Sequence, residues 1–143
     1  MKILRGHANG VSSITVISDE ISKIISGSYR EVKIWDIESG ECLQTFNIGH
    51  THFIKSIINL SDDKIASCDE DGKIIIWNIE NGECLKMIEA HSDCIWMLAK
   101  LSKNKIISCS SDNTIKIWNV ETGLSFKNFE GHDAEVVCLD LSN

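Results

Sequence analysis

Serine, histidine and aspartate, the three residue types of a nucleophilic triad, recur together along this chain of 143 residues. In such a triad a histidine takes the serine proton, and a carboxylate orients the histidine. Two sets of these residue types can be assembled, namely Ser67, His50 and Asp71, and Ser108, His91 and Asp112. A tryptophan follows each serine after the same interval. Because the sets repeat in register, each with its tryptophan, the pattern favours a structural network over catalysis.

The histidines and tryptophans show that the whole chain is repetitive. Four histidines recur at steps of 43, 41 and 41 residues: His7, His50, His91 and His132. Three tryptophans recur at steps of 42 and 41 residues: Trp35, Trp77 and Trp118. Self-similarity at this period is the sequence signature of an array built from one supersecondary unit.

Each repeat contains four short apolar runs separated by turn residues, a pattern typical of strands. In the third repeat the predicted strands A to D lie at residues 95–101, 105–108, 114–118 and 125–129. The second repeat follows the same scheme. The first repeat has a B–C turn that is one residue shorter, because Ser26 and Trp35 are nine residues apart and not ten.

Short motifs at the two ends of every repeat resemble those of the WD-repeat β-propeller family. One end carries Gly6-His7, Gly49-His50, Ala90-His91 and Gly131-His132. The other end carries Trp35-Asp36, Trp77-Asn78 and Trp118-Asn119. A single Trp-Asp pair does not identify this family, but three such pairs in register, with histidines also in register, are specific to it. The resemblance implies an all-β propeller, an incomplete ring of about three four-stranded antiparallel blades with flanking strands.

The family's blades carry a buried hydrogen-bonded tetrad, and the resemblance implies one in each repeat here. The indole N–H donates to the serine, the serine to the histidine, and the histidine to an aspartate. Two complete tetrads are expected: Trp118, Ser108, His91 and Asp112, and Trp77, Ser67, His50 and Asp71. The first repeat retains Trp35, Ser26 and His7, but its short turn places Tyr29 or Arg30 at the aspartate position. We therefore expect His7 to lack a carboxylate partner and this blade to be less rigid.

The repeat boundaries define the expected domain organisation. Residues 1–6 match the end of a strand D, and residues 132–143 match the start of a fourth repeat. Complete repeats occupy residues 7–49, 50–90 and 91–131. Because propellers have about four to eight blades, we expect a fragment of a longer propeller, with self-association as the alternative.

Three aromatic residues fall outside the repeat pattern: Tyr29, Phe53 and Trp96. In an antiparallel blade the D–A and B–C connections lie at the same end, so these side chains are expected on one face, with Lys55, Glu70 and Ser111 on the same rim. The family resemblance implies that this face commonly holds peptide or protein partners, and exposed aromatics there are candidate hot spots. The alternative for Trp96 is that it fills space near the central channel.

Composition narrows the choice of partner and site. The net charge is −7 and Arg5 and Arg30 are the only arginines, which disfavours both nucleic-acid binding and phosphopeptide recognition. The sequence contains no long apolar run, so we expect neither a membrane span nor a membrane partner. His50 and His52 are a weak metal-ligand pair, and no glycine-rich phosphate loop is present, so neither a metal nor a cofactor is expected.

The six cysteines form no Cys-x-x-Cys pair, and we interpret them as reduced, small apolar residues. This favours a cytoplasmic location, with the nucleus as the alternative. The sequence as a whole predicts a non-enzymatic platform for protein–protein interaction. The alternative is an architectural segment that completes a propeller with other chains or copies and has no ligand site of its own.

Overall fold

A computed structural model describes residues 3–17 and 22–140, and over these residues the chain is all strand and connection. Within these ranges no helix is long and apolar enough to cross a membrane. The strands are β1 (Ser13–Val16), β2 (Lys23–Gly27), β3 (Val32–Asp36), β4 (Cys42–Phe46), β5 (Ile54–Ser61), β6 (Lys64–Asp69), β7 (Lys73–Asn78), β8 (Cys84–Glu89), β9 (Ile95–Ser102), β10 (Lys105–Ser110), β11 (Ile115–Asn119) and β12 (Ser125–Phe129).

The strands form three four-stranded antiparallel sheets in chain order, β1 to β4, β5 to β8 and β9 to β12. We call these sheets blades 1, 2 and 3, and the strands of each blade A to D. The register repeats, because the tryptophan on strand C lies opposite an isoleucine on strand B in every blade: Ile24 and Trp35, Ile65 and Trp77, Ile106 and Trp118. The all-β fold with one blade for each complete repeat is therefore confirmed.

Strand C of blade 2 shows why its apolar residues are continuous and not strictly alternating. Four consecutive residues of β7, from Ile74 to Trp77, are buried. A strand covered on both faces reads as a continuous apolar run. Blade 2 has blade 1 on one side and blade 3 on the other, so both faces of β7 are covered.

The core consists of two clusters, one at each junction between blades. At the first junction Ile34 and Phe46 of blade 1 pack against Ile65 and Trp77 of blade 2. The Phe46 and Trp77 rings are stacked with centroids 5.6 Å apart. At the second junction the equivalent Ile76 and Ile88 of blade 2 pack against Ile106 and Trp118 of blade 3. Burial of these faces drives the blades together.

The flanking strands expected from the sequence are not formed in the described part of the chain. Residues 3–6 and 132–140 belong to no strand, although Val136 N donates to Ser110 O at 3.1 Å. A strand needs a hydrogen-bonded neighbour along its length. A strand D of a preceding blade would pair with strand C of that same blade, and a strand A of a following blade would pair with strand B of that same blade. The described residues include neither of these two partner strands.

Candidate functional site

Blade 3 contains a continuous chain of buried hydrogen bonds. Trp118 Nε1 donates to Ser108 Oγ at 2.9 Å, and Ser108 Oγ lies 2.7 Å from His91 Nε2. His91 Nδ1 lies 2.8 Å from Asp112 Oδ2. Since a carboxylate only accepts, the histidine proton is on Nδ1 and the serine hydroxyl donates to Nε2. The bonds run in the order that the family resemblance implies.

The surroundings of this network keep the histidine neutral and the aspartate ionised. Burial lowers the pKa of His91, and the opposing effect of Asp112 is smaller. Burial by itself raises the pKa of Asp112, but hydrogen bonds from Thr114 and His91 outweigh it, and the pKa lies below its ordinary value. Thr114 Oγ1 contributes a 2.6 Å bond to Asp112 Oδ1. The network is therefore built for a neutral imidazole.

Blade 2 repeats the network with a different carboxylate, and the prediction of Asp71 is wrong. Trp77 Nε1 donates to Ser67 Oγ at 2.8 Å, and His50 Nε2 lies 2.6 Å from Ser67 Oγ. The acceptor for His50 Nδ1 is Asp69, whose Oδ2 is 2.6 Å away. Asp71 is exposed, and its Oδ2 accepts instead from Thr51 and from His52 Nδ1, the latter at 2.7 Å.

The shape of the B–C turn explains the exchange. Asp69 ends strand B and is fully buried, and its Oδ1 also accepts from the backbone N–H groups of Asp71 and Lys73, both at 3.0 Å. The equivalent residue in blade 3 is Ser110, whose Oγ accepts from Asp112 N at 3.1 Å. An aspartate at this position both caps the turn and reaches the histidine, so the later aspartate is free to face outward.

Blade 1 also supplies a carboxylate, so the expectation that His7 lacks one is wrong. Trp35 Nε1 donates to Ser26 Oγ at 2.7 Å, and His7 Nε2 lies 2.6 Å from the same oxygen. His7 Nδ1 lies 2.6 Å from Glu31 Oε1. Neither Tyr29 nor Arg30 takes the aspartate's place.

The short turn of blade 1 brings Glu31 into position. Arg30 adopts φ 63°, as Gly72 does at 79° and Asn113 at 66° in the other blades. Glu31 therefore follows the left-handed residue, at the position that Thr114 has in blade 3. Its side chain is longer than that of an aspartate and reaches His7 from this position. Burial raises the pKa of Glu31, but hydrogen bonds from His7 and Lys33 outweigh this and lower it overall. A glutamate one residue after the turn was the sequence signal for this partner.

The three serines have no access to a substrate. Ser67 and Ser108 are fully buried, and Ser26 nearly so. Each hydroxyl oxygen already accepts from an indole N–H while its proton points to a histidine. A nucleophile needs its oxygen within reach of a reacting carbon, so this arrangement is structural.

The residues predicted on the loop face form two contact groups, which together we call the aromatic rim. In the first group the rings of Tyr29 and Phe53 are tilted against each other with centroids 5.1 Å apart. In the second group Lys55 Nζ lies 2.7 Å from Glu70 Oε1 and 5.0 Å from the centroid of the Trp96 ring. Trp96 Nε1 donates to Ser111 Oγ at 2.7 Å. Tyr29 is exposed, whereas Phe53 and Trp96 are half-buried.

Backbone hydrogen bonds hold the loops that carry the aromatic rim. Arg30 N donates to His52 O at 3.1 Å, which joins the B–C turn of blade 1 to the D–A loop of blade 2. Glu70 N donates to Phe53 O at 3.2 Å, and Ser111 N to Cys94 O at 2.9 Å. Loops fixed in this way lose little conformational entropy when a partner binds.

Neither the histidine pair nor the cysteines form a reactive cluster in the described part of the chain. No group of three metal-ligating side chains is found there. His50 belongs to the network of blade 2, and His52 lies in the exposed pair with Asp71. The cysteines are free thiols, and burial raises the pKa of Cys94 and of Cys109 to about 11. These two thiols therefore stay protonated at neutral pH.

Two proteins with known names share segments of this sequence. WD repeat-containing protein 18 from Bos taurus is 42% identical over 48 residues, which are 33% of this chain and 11% of that protein. The probable E3 ubiquitin ligase complex SCF subunit sconB from Talaromyces stipitatus is 37% identical over 75 residues, which are 48% of this chain and 11% of that protein. The matched segments thus span about a tenth of the length of these relatives.

Solved structures match the fold over nearly the whole chain. The computationally designed Ika8 protein gives a TM-score of 0.85 at 30% identity, over 98% of this chain and 42% of its own. The WD40 repeats of RRP9 give a TM-score of 0.86 at 27% identity, over 94% of this chain and 42% of their own. The family described as "WD domain, G-beta repeat" matches residues 1–36, 40–78 and 82–119. The three networks, the three blades and this match together show that the chain belongs to the WD-repeat family of β-propellers.

Proposed function

We propose that this chain is a non-catalytic platform that binds a protein or peptide partner through the aromatic rim. The WD40 fold is generally a protein-interaction scaffold. The observation that carries the choice of face is the arrangement of Tyr29, Phe53 and Trp96. One aromatic from each of three consecutive blades lies at the same end of the array, and none belongs to a structural network.

The chemistry of the aromatic rim suits a mixed apolar and polar partner. Tyrosine and tryptophan are enriched at binding hot spots because each combines a large apolar surface with one polar group. Lys55 lies between the Glu70 carboxylate and the Trp96 ring, so its charge is compensated before a partner arrives. An incoming acidic or basic group can pair with one member of this set, while an apolar side chain covers the Tyr29 and Phe53 rings.

The name of one similar protein agrees with an interaction role. The relative from Talaromyces stipitatus is named as a subunit of a ligase complex, and a second relative is named only for its WD repeats. A catalytic site needs a reactive group that a substrate can reach, whereas an interaction platform does not. The serines of the three networks are buried, which agrees with the second role.

The test is quantitative capture of partners from an extract of the source cells by the immobilised chain and its variants. Tyr29→Ala and Trp96→Ala remove rim aromatics without touching a network. Phe126→Ala is the matched control, because Phe126 is an exposed aromatic on β12, away from the loop face. We expect at least one protein to be lost with both rim variants and retained by the control. If every captured protein is retained by both rim variants, the aromatic rim is not the binding site.

A further inference from the structure

A groove crosses the junction of blades 2 and 3 at the end opposite the aromatic rim. The A–B and C–D turns border it, and these turns lie at the other end of each blade from the D–A and B–C loops. Its floor consists of Leu60, Ile76 and Val120, which are buried, and Leu85 at its edge is 40% exposed. The groove lies between two neighbouring blades, so described residues form both of its walls.

The groove has room for one apolar side chain of a partner. Its larger part, which Ile76, Leu85 and Val120 line, has a volume of about 240 Å³. A cavity of about 150 Å³ holds a benzene-sized group. An apolar side chain that enters this space covers Leu85, and removing both apolar surfaces from water favours binding. The floor therefore provides a point of attachment, but it does not select one chemical class of partner.

Three lysines lie around this floor and give the groove its charge: Lys64, Lys86 and Lys103. No ion pair in the described part of the chain involves any of them. Lys86 Nζ donates instead to Thr122 O at 3.2 Å, so a neutral carbonyl holds it at the edge of the groove. Glu121 is the one carboxylate among the described residues that line the groove. We call this site the basic groove.

Asp63 shows that two of these lysines act on the same region. It lies in the A–B turn of blade 2, next to Lys64, and its pKa is lowered by the hydrogen bond from Ser61 and, to a smaller extent, by the charges of Lys64 and Lys103. Asp63 offsets part of the positive charge, and three lysines then face two carboxylates. The basic groove therefore remains positive on a chain whose net charge is −7.

The junction of blades 1 and 2 has a groove of the same apolar shape with the opposite charge. Ile34, Leu43 and Ile79 take the places of Ile76, Leu85 and Val120. Gln44 replaces Lys86, since each lies opposite the strand-C isoleucine of the floor. Asp62 replaces Lys103, since each directly follows the last residue of a strand A. The described lining has one lysine and two carboxylates, namely Lys23, Asp62 and Glu80. The apolar floor thus belongs to the repeat, whereas the positive charge distinguishes one junction from the other.

We propose that the basic groove binds an acidic peptide segment of a partner protein, with one apolar side chain on the floor and carboxylates beside the three lysines. Complementary charge selects such a segment and speeds its encounter with the groove. A lysine acts as a flexible point charge, so it accepts carboxylates in several positions. A nucleic acid fits less well, because it depends on many phosphate contacts and the chain as a whole repels it. The site is separate from the aromatic rim and does not depend on a partner bound there.

NMR titration of the isotope-labelled chain with the capped peptide Asp-Glu-Leu-Glu-Asp tests the proposal. We expect the shifted amides to lie in residues 60–64, 85–86, 103–104 and 120–121. The peptide Asn-Gln-Leu-Gln-Asn keeps the shape without the charges and should bind about tenfold more weakly. The proposal is overturned if these amides do not shift at millimolar peptide, or if the uncharged peptide binds equally well. A short DNA duplex that shifts the same amides at lower concentration would overturn the choice of a peptide.

Charge substitutions locate the site. Lys86→Gln and Lys103→Asp each give the basic groove the residue of the other junction, and each should weaken binding of the acidic peptide about fivefold. Lys127→Asp is the matched control for Lys103→Asp: it changes the net charge equally, but Lys127 is an exposed lysine over the Phe129 ring on β12, outside the groove. If Lys127→Asp weakens binding as much as Lys103→Asp does, the peptide responds to net charge and not to the groove, and the proposal is wrong.

Discussion

Blades 2 and 3 are built from the same sequence pattern, yet blade 2 is covered on both faces and blade 3 on one. Strand C of blade 2 is buried over four consecutive residues, whereas in strand C of blade 3 only Trp118 is buried. The carboxylate of the network differs in the same way, because Asp69 is fully buried and Asp112 is partly exposed. Equivalent residues should therefore contribute unequally to stability, according to what covers them.

The largest expected difference concerns an equivalent pair of isoleucines on strand C. Ile74→Ala empties a fully buried site at the junction of blades 2 and 3 and should lower the free energy of unfolding by about 3 kcal/mol. Ile115→Ala removes the same atoms from the half-buried position of blade 3 and should cost about 1 kcal/mol. Urea denaturation at low protein concentration measures both. Equal losses would mean that burial at the junction does not distinguish the blades.

The two network carboxylates give the next largest difference. Asp69→Ala leaves His50 and two turn N–H groups without an acceptor inside the protein, and should cost about 3 kcal/mol. Asp112→Ala leaves His91 without its main acceptor at a partly exposed position, and should cost about 2 kcal/mol.

Asp71 is the internal control for this comparison, since it lies two residues from Asp69 and pairs only with exposed groups. Asp71→Ala should change the free energy of unfolding by about 0.5 kcal/mol or less. If Asp71→Ala were more costly than Asp69→Ala in the same denaturation experiment, the assignment of Asp69 to the network would be wrong.

The stability that the network of blade 3 provides should depend on pH, because burial lowers the pKa of His91. A histidine whose pKa is lower in the folded state than in the unfolded state binds its proton more readily when unfolded. Stability should therefore fall as the pH drops below about 6.5, the ordinary histidine value. The lowered pKa of Asp112 acts later: its contribution is present above the ordinary aspartate pKa and is lost as the pH falls through the folded value.

Denaturation midpoints between neutral pH and pH about 5 measure this effect. His91→Gln keeps a polar side chain and removes the titrating group. The part of the stability loss on acidification that comes from blade 3 should therefore disappear in this variant. A variant that loses as much stability over this interval as the wild type would assign the acid loss to another group.

The smallest expected effect is a difference in hydrogen exchange between blades 1 and 3. The sequence predicted a less rigid blade 1 because His7 appeared to lack a carboxylate, and Glu31 removes that reason. Strand C of blade 1 is buried at four of its five residues, more than strand C of blade 3. We now expect the amides of residues 32–35 to exchange at least as slowly as those of residues 115–118. Faster exchange in blade 1 would support the original prediction.

Most of the fold followed from the sequence because its signals are local and repeated. Four alternating or continuous apolar runs per repeat specify four strands, and short turns between them specify an antiparallel meander. The hydrogen-bond chain from tryptophan through serine to histidine was expected from the family resemblance, and the donor and acceptor capacities of these side chains are consistent with that order. In every blade the serine lies on strand B, the tryptophan on strand C and the histidine in the connection before strand A.

The last member of each network was decided by the tertiary structure. In blade 2 two aspartates lie in one turn, and only the folded backbone shows that Asp69 points to His50 while Asp71 faces solvent. In blade 1 the left-handed conformation of Arg30 sets the direction of Glu31. A side chain two to five residues beyond a strand serine can point inward or outward depending on the dihedral angles of the turn, and spacing alone does not specify these angles. The sequence by itself therefore determined the blades and the network up to the histidine, and the packing of each turn determined which carboxylate completes it.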